Sequence, residues 1–169
     1  MSQPLSGLRC GIGYDTHRLA EGRRLVLGGV EIASPRGPIS HSDGDVLSHA
    51  IADALLGAAG LGDLGRRFPD TDAQWKGVSS LMFLETVRKL LDAEKLRIEN
   101  IDSVLVLDEP KLAPYMDRVA EGIARALGVD RRQVSVKAKT SEGATPLLAA
   151  AHAVALLAPL RGMRNRKEK

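Results

Sequence analysis

Apolar residues recur along this chain with two different periods, and the switches between them mark out its elements. Residues 8 to 14 and 24 to 32 read as strands, and the second, Arg24-Leu-Val-Leu-Gly-Gly-Val-Glu-Ile32, is interrupted at Gly28-Gly29, where a bend or hairpin turn is expected. Ser34-Pro-Arg-Gly-Pro38 reads as a loop. From Asp43 or Gly44 to about Ala59, the spacing of Val46, Leu47, Ala50, Ile51, Ala54, Leu55 and Ala58 predicts a helix capped by Ser42 or Asp43. A second helix is expected from about Ser80 to Glu94, with Leu84, Val87, Leu90 and Leu91 inward. A third follows Pro114, carries Met116, Val119, Ile123 and Leu127 inward, and stops at Gly128. Between and after them, Ile101 to Leu107 and Gln133 to Lys139 read as strands. The alanine-rich run Leu147 to Leu157 is a helix by propensity alone. Alternating strands and helices, with two strands together at the start, predict an α/β sandwich with a mixed sheet on one side and helices on the other.

Chemistry concentrates where the first strand meets the first helix. The chain has four histidines, and three of them, His17, His41 and His49, fall in Gly11-Ile-Gly-Tyr-Asp-Thr-His-Arg18 and in the stretch from His41-Ser-Asp-Gly-Asp45 to His49. Positions two apart on a strand share a face, so Asp15 and His17 point the same way, and His49 closes the site from the helix. Two imidazoles and one carboxylate suit Zn²⁺, and three ligands leave a fourth position open for water or substrate, the pattern of a catalytic centre. Asp45, His49 and Asp53 form a polar stripe on the helix, from which Asp45 or Asp53 is expected to hydrogen-bond the free nitrogen of a ligand histidine. Gly60 to Gly65 and Phe68 to Asp72 suit a rim around a ligand.

Composition narrows the remaining classes. A length of 169 residues supports one domain, and 44% hydrophobic with 27% charged residues is ordinary for a globular protein. No apolar run approaches the roughly 20 residues of a membrane helix, and Met1 to Gly7 lacks the pattern of a signal peptide, so a cytoplasmic location without membrane partners is expected. Cys10, the lone cysteine, is expected to be a buried small hydrophobe. The pI of about 9.2 arises mostly at the end: five basic residues and one acid give the last nine residues +4, and the body, in a chain of +3, carries about −1. With 3% aromatic residues there is no stacking platform for bases, and nucleic acid is not an expected partner.

These segments together resemble the 2-C-methyl-D-erythritol 2,4-cyclodiphosphate synthase family. The likeness rests on Gly11-Ile-Gly-Tyr-Asp-Thr-His17, Leu27-Gly-Gly-Val30, His41-Ser-Asp-Gly-Asp-Val46, Asp53-Ala-Leu-Leu-Gly-Ala-Ala59, Leu61-Gly-Asp-Leu-Gly65, Phe68-Pro-Asp-Thr-Asp72, Pro110-Lys111 and Val136-Lys-Ala-Lys-Thr-Ser-Glu142, in the family's order. It implies a homotrimer with active sites between subunits, each subunit a single α+β sandwich over residues 8–160 with a mixed four-stranded sheet packed on helices. Residues 1–7 and 161–169 are expected as flexible termini. It also makes Leu147 to Leu157 a strand, against propensity.

The resemblance implies conversion of a cytidine diphosphate substrate, 4-diphosphocytidyl-2-C-methyl-D-erythritol 2-phosphate, into the cyclic diphosphate with release of CMP. Asp15, His17 and His49 then hold Zn²⁺, and Glu142 helps to hold a second ion, Mg²⁺ or Mn²⁺. His41 and Thr140 match residues that steady the phosphates, with Ser42 beside them. Asp63, Leu64 and Gly65, with Phe68, Pro69, Asp70, Thr71 and Asp72, surround the methylerythritol end, Leu107, Lys111, Leu112 and Ala113 the cytidine, and Lys139 and Ser141 are further substrate-binding candidates. One segment departs from the family: after Glu142, Gly143 to His152 is a few residues shorter and lacks the usual aromatic and arginine. Arg18 or Lys139 is the candidate replacement charge. Two other readings stand beside the cyclase: a divergent member that binds a nucleotide or phosphate ligand with lost or altered turnover, and a generic zinc phosphohydrolase.

Overall fold

A computed structural model describes residues 7–69 and 71–160. Its organising contact is glycine against alanine. The first strand, β1 (Arg9–Glu21), turns Gly11 and Gly13 toward the first helix, α1 (Val46–Ala59). A Cβ at Gly11 would sit 2.1 Å from the Ala54 carbonyl oxygen, and one at Gly13 would sit 1.9 Å from that of Ala50. Only bare backbone fits there, so the helix lies directly on the strand and carries His49 to it. Leu47, Ile51, Leu55 and Leu56 of α1 are fully buried, each worth about 1.5–3 kcal/mol of apolar transfer.

The hairpin expected at Gly28-Gly29 is present as β2 (Leu25–Leu27) and β3 (Val30–Ile32), an antiparallel ribbon apart from the main sheet. Beyond α1 come a four-residue helix, α2 (Leu64–Arg67), and then α3 (Leu81–Ala93), β5 (Leu96–Val106), α4 (Met116–Leu127), β6 (Val134–Lys139) and β7 (Leu148–Pro159). Gly128 ends α4 in the left-handed conformation, φ 65°, as its position after the last apolar turn predicts.

The sheet is mixed, as expected, but has five strands rather than four, in the order β4-β1-β7-β5-β6. The extra strand is β4 (Arg36–Pro38), inside the segment read as a loop; it pairs antiparallel with the far end of β1, Leu19 opposite Pro38. Three residues rich in proline and glycine carry no alternation to read, and only an edge position next to β1 tolerates them. β5 pairs parallel with β6, and the other pairings are antiparallel. β7 lies between β1 and β5, so the alanine-rich run is a strand and its helix propensity is overridden. Ala149, Ala151, Ala153 and Ala155 point inward, fully covered, and their small side chains let α1 approach the sheet closely.

The long helices α1, α3 and α4 pack on one face of the sheet. On the other, Cys10, Ile12, Tyr14, Thr16 and Arg18 of β1 alternate outward, beside His152 and Val154 of β7. Ile12 is 74% exposed and Tyr14 53%, and the Tyr14 and His152 rings lie 4.7 Å apart. Cys10 is therefore exposed, contrary to the buried hydrophobe expected, because the strand's parity assigns it to the uncovered face. Among the described residues no helix is long and apolar enough to cross a membrane.

Candidate metal centre

β1 continues past Tyr14, so Asp15 and His17 are strand residues on the face turned to α1, where His49 meets them. Asp15 Oδ2 lies 3.1 Å from His17 Nε2 and 2.9 Å from His49 Nδ1, and the two nitrogens are 3.2 Å apart. The His17 and His49 rings stand at 88° to each other. A tetrahedral ion with bonds of about 2.0–2.1 Å spaces its ligand atoms by roughly 3.3 Å, so this triangle has the size of such a site. His49 is buried while Asp15 and His17 are partly open, which leaves one side of the triangle to solvent.

Burial of Asp15 opposes its ionisation, yet hydrogen bonds and positive charge from His17 and His49 outweigh it and hold the carboxyl well below the ordinary range. The group is thus an anion ready to serve as a ligand. The donor set fits a borderline divalent ion such as Zn²⁺, with nitrogen and carboxylate oxygen donors, no thiolate, and an open side.

The back of His49 is held by Ser80, which sequence reasoning missed, and by Ser42, which it placed beside the phosphates. His49 Nε2 lies 2.8 Å from Ser80 Oγ and 3.2 Å from Ser42 Oγ. Ser80 is fully buried, and the Asp43 carboxylate accepts its amide N–H at 2.9 Å and also its hydroxyl. The stripe acids, expected to brace the histidine, do other work. Asp45 is the N-cap of α1, accepting from the Ser48 amide at 3.1 Å, the Ser48 hydroxyl at 2.7 Å and the Gly29 amide at 3.1 Å. Asp53 accepts the Leu64 amide at 2.7 Å. The N-cap is therefore Asp45, not Ser42 or Asp43.

The other expected residues are dispersed. His41 is exposed, its carbonyl accepting from the Gly77 amide. Asp63 caps α2, which carries Leu64 and Gly65, and Asp72 caps a short 3₁₀ turn. Pro69 and Thr71 are exposed, whereas the Phe68 side chain is buried against Trp75 and Phe83. Asp70 lies outside the described residues. Leu107 and Leu112 are buried, and Lys111, Ala113 and Lys139 exposed. Thr140 donates to the Glu142 carboxylate at 2.6 Å, and Ser141 donates its hydroxyl to Asp108 at 2.7 Å. Of these residues only Asp15, His17 and His49 converge as possible metal ligands. Lys111, Pro110, Pro35, Arg36 and Pro146 line a separate open cleft of about 400 Å³. Arg18 occupies the opposite face of β1 from His17, so within one chain it supplies no charge to this centre.

An open carboxylate and two-imidazole cluster, set where a strand meets a helix in a one-sided α+β sandwich, defines a protein with a candidate divalent-metal site. The chain belongs to the YgbB family, whose model matches residues 8–158. A 2-C-methyl-D-erythritol 2,4-cyclodiphosphate synthase of Gloeobacter violaceus is 53% identical over 154 residues, covering 89% of this chain and 94% of that relative. One from Clostridium botulinum is 54% identical, covering 80% and 87%. Among solved structures, a 2C-methyl-D-erythritol-2,4-cyclodiphosphate synthase superposes with a TM-score of 0.84 at 45% identity, covering 88% of this chain and 99% of that one. A CDP complex of the Plasmodium falciparum protein gives 0.80 at 34%, covering 92% and 99%. The family expected from the sequence motifs is the family found.

Proposed function

We propose that this chain is a 2-C-methyl-D-erythritol 2,4-cyclodiphosphate synthase, closing 4-diphosphocytidyl-2-C-methyl-D-erythritol 2-phosphate to the cyclic diphosphate and releasing CMP. The observation that carries the reading is the convergence of Asp15, His17 and His49 into one open centre in a chain 53–54% identical to relatives of that name. In the reaction a 2-phosphate oxygen bonds to the β-phosphorus while the bond from that phosphorus to the CMP oxygen breaks. Nothing is consumed but the substrate, so the work is positioning and charge neutralisation. Zn²⁺ held by Asp15, His17 and His49 would supply Lewis-acid neutralisation and orientation of a phosphate. Glu142 would help to hold a second divalent ion, Mg²⁺ or Mn²⁺, which would supply further charge neutralisation. His41, with Ser42 beside it, and Thr140 donate to phosphate oxygens. Asp63 to Gly65 and Phe68 to Asp72 flank the methylerythritol end, with buried Phe68 acting as a fixed wall. Leu107, Lys111, Leu112, Ala113, Lys139 and Ser141 surround the cytidine, the leucines through backbone.

The active enzyme in this reading is a homotrimer with sites between subunits, and the sheet register supports it. Thr16, Ala150, Val106 and Lys139 lie in one row across β1, β7, β5 and β6. Three strand spacings of about 4.8 Å separate the Asp15–His17 end from the Thr140–Glu142 end by roughly 14 Å. A neighbouring copy can bring the two ends together, and the uncovered face with Ile12, Tyr14 and Val154 offers it a surface.

The test is CMP release and phosphorus NMR with the substrate, Zn²⁺ and Mg²⁺, beside a His49→Ala control. Cyclic diphosphate that disappears in the control is the expected result. Linear phosphate esters would make the protein a hydrolase, and no product from zinc-loaded protein would leave it a binding protein.

A further inference from the structure

We infer that Ser80 and Asp43 are positioning residues for the metal centre, acting through His49 by fixing which of its ring nitrogens carries the proton. Donor counting sets the direction of these bonds. A serine hydroxyl has one proton, and an ionised carboxylate has none. The Asp43 carboxylate accepts both the amide and the hydroxyl of Ser80, so that hydroxyl proton is committed. Ser80 Oγ, 2.8 Å from His49 Nε2, therefore accepts, and Nε2 carries hydrogen. Ser42 Oγ, 3.2 Å from the same nitrogen, already accepts the Gly44 amide and takes the same role more weakly. Nδ1, which faces Asp15 and His17, is then the nitrogen that turns to an ion; with none bound it hydrogen-bonds the Asp15 carboxylate at 2.9 Å.

The placement of Ser80 fits a positioning role. It is fully buried and precedes α3, yet its side chain makes no capping bond to that helix. Its hydroxyl instead joins the loop holding His41, Ser42 and Asp43 to the segment leading into α3, where the Asp43 amide also donates to the Val78 carbonyl at 3.1 Å. Partners of this kind behind a ligand histidine set its tautomer and ring orientation, and their loss costs about 10–100-fold in metal affinity.

The inference rests on reading Asp15, His17 and His49 as the metal centre, and two measurements keep the two claims separate. The first is Zn²⁺ affinity by chelator competition for the whole chain, for Ser80→Ala and for Ser80→Thr, which keeps the hydroxyl. Affinity is expected to fall at least 10-fold in Ser80→Ala and to recover to within about 3-fold in Ser80→Thr. The second is the proton spectrum of ¹⁵N-histidine-labelled protein with and without Zn²⁺. A His49 Nε2–H resonance, downfield and slow to exchange in both forms, is expected, and in Ser80→Ala it should exchange rapidly. Unchanged affinity in folded Ser80→Ala, or a His49 that lacks the Nε2–H proton, would overturn the inference. If the unaltered chain binds no Zn²⁺, the metal reading fails while the proton spectrum still decides the tautomer.

Discussion

The two ends of one row of the sheet are built very differently. At the β1 end, Asp15 and His17 are half-buried, His49 is buried behind them, and Ser80 and Asp43 brace it from the rear. At the β6 end, Lys139, Thr140 and Glu142 are exposed; Thr140 bonds only its neighbour Glu142, and Ser141 between them is tied to the Asp108 loop. The difference teaches that one chain preorganises the candidate metal cluster by itself, whereas the residues proposed for the other half of the site form an open shelf.

Four changes would break or sharpen this contrast. The largest effect is expected from His49→Ala, which removes a proposed metal ligand: Zn²⁺ binding should be lost and turnover should fall at least about 1,000-fold, read by metal analysis and CMP release. Next, Ile12→Glu places a charge on the uncovered face of the sheet. It should give a folded monomer by light scattering that keeps Zn²⁺ but no longer turns over, whereas an active monomer would place the whole site in one chain. Third, Gly13→Ala drives a Cβ toward the Ala50 carbonyl, 1.9 Å away. A loss of about 3 kcal/mol in denaturant unfolding is expected, with weaker Zn²⁺ binding because α1 and His49 are pushed off β1.

The smallest effect concerns pH. Burial pushes the Asp45 carboxyl up to about 6, against the hydrogen bonds from Ser48, with the Asp43 charge adding to the rise. Below its unfolded value near 4 both states are protonated. Between about 4 and 6 the folded state binds more protons than the unfolded one, so this group's contribution to stability falls as pH rises through that window and is constant above it. Asp45→Asn should remove that slope, which denaturant midpoints at pH 4, 5 and 6 would detect. The Asp15 carboxyl, held low, acts with the opposite sign and at lower pH.

What could be read from the sequence follows from how local each signal is. Strand parity, carried past the strand read over residues 8 to 14, put Asp15 and His17 on one face, and helical spacing put His49 on the element that reaches them, so the candidate metal cluster was legible before any fold was known. The glycines opposite Ala50 and Ala54 were part of the motif, but their reason, a helix lying on bare backbone, needs the packed pair. Ser80 and Asp43 are 37 positions apart and meet only through the tertiary fold, and nothing in Ser79-Ser80 marks one serine as a brace. Asp45 was misread as a stripe residue because helical spacing cannot tell a first-turn position from the cap before it. β7 failed by propensity for a related reason: alanine favours helix in isolation, but between β1 and β5 its small side chain is what lets α1 pack.

The claim most in need of a direct test is that each active site joins the Asp15–His17–His49 half of one copy to the Thr140–Glu142 half of another. His49→Ala and Glu142→Ala chains, each inactive alone, would be unfolded, mixed in equal amounts and refolded together, and CMP release measured. In a ring of identical contacts about a quarter of the interfaces would pair two intact halves. The account predicts recovery of about a quarter of the activity of the unaltered protein; mixed oligomers that form yet stay inactive would contradict it.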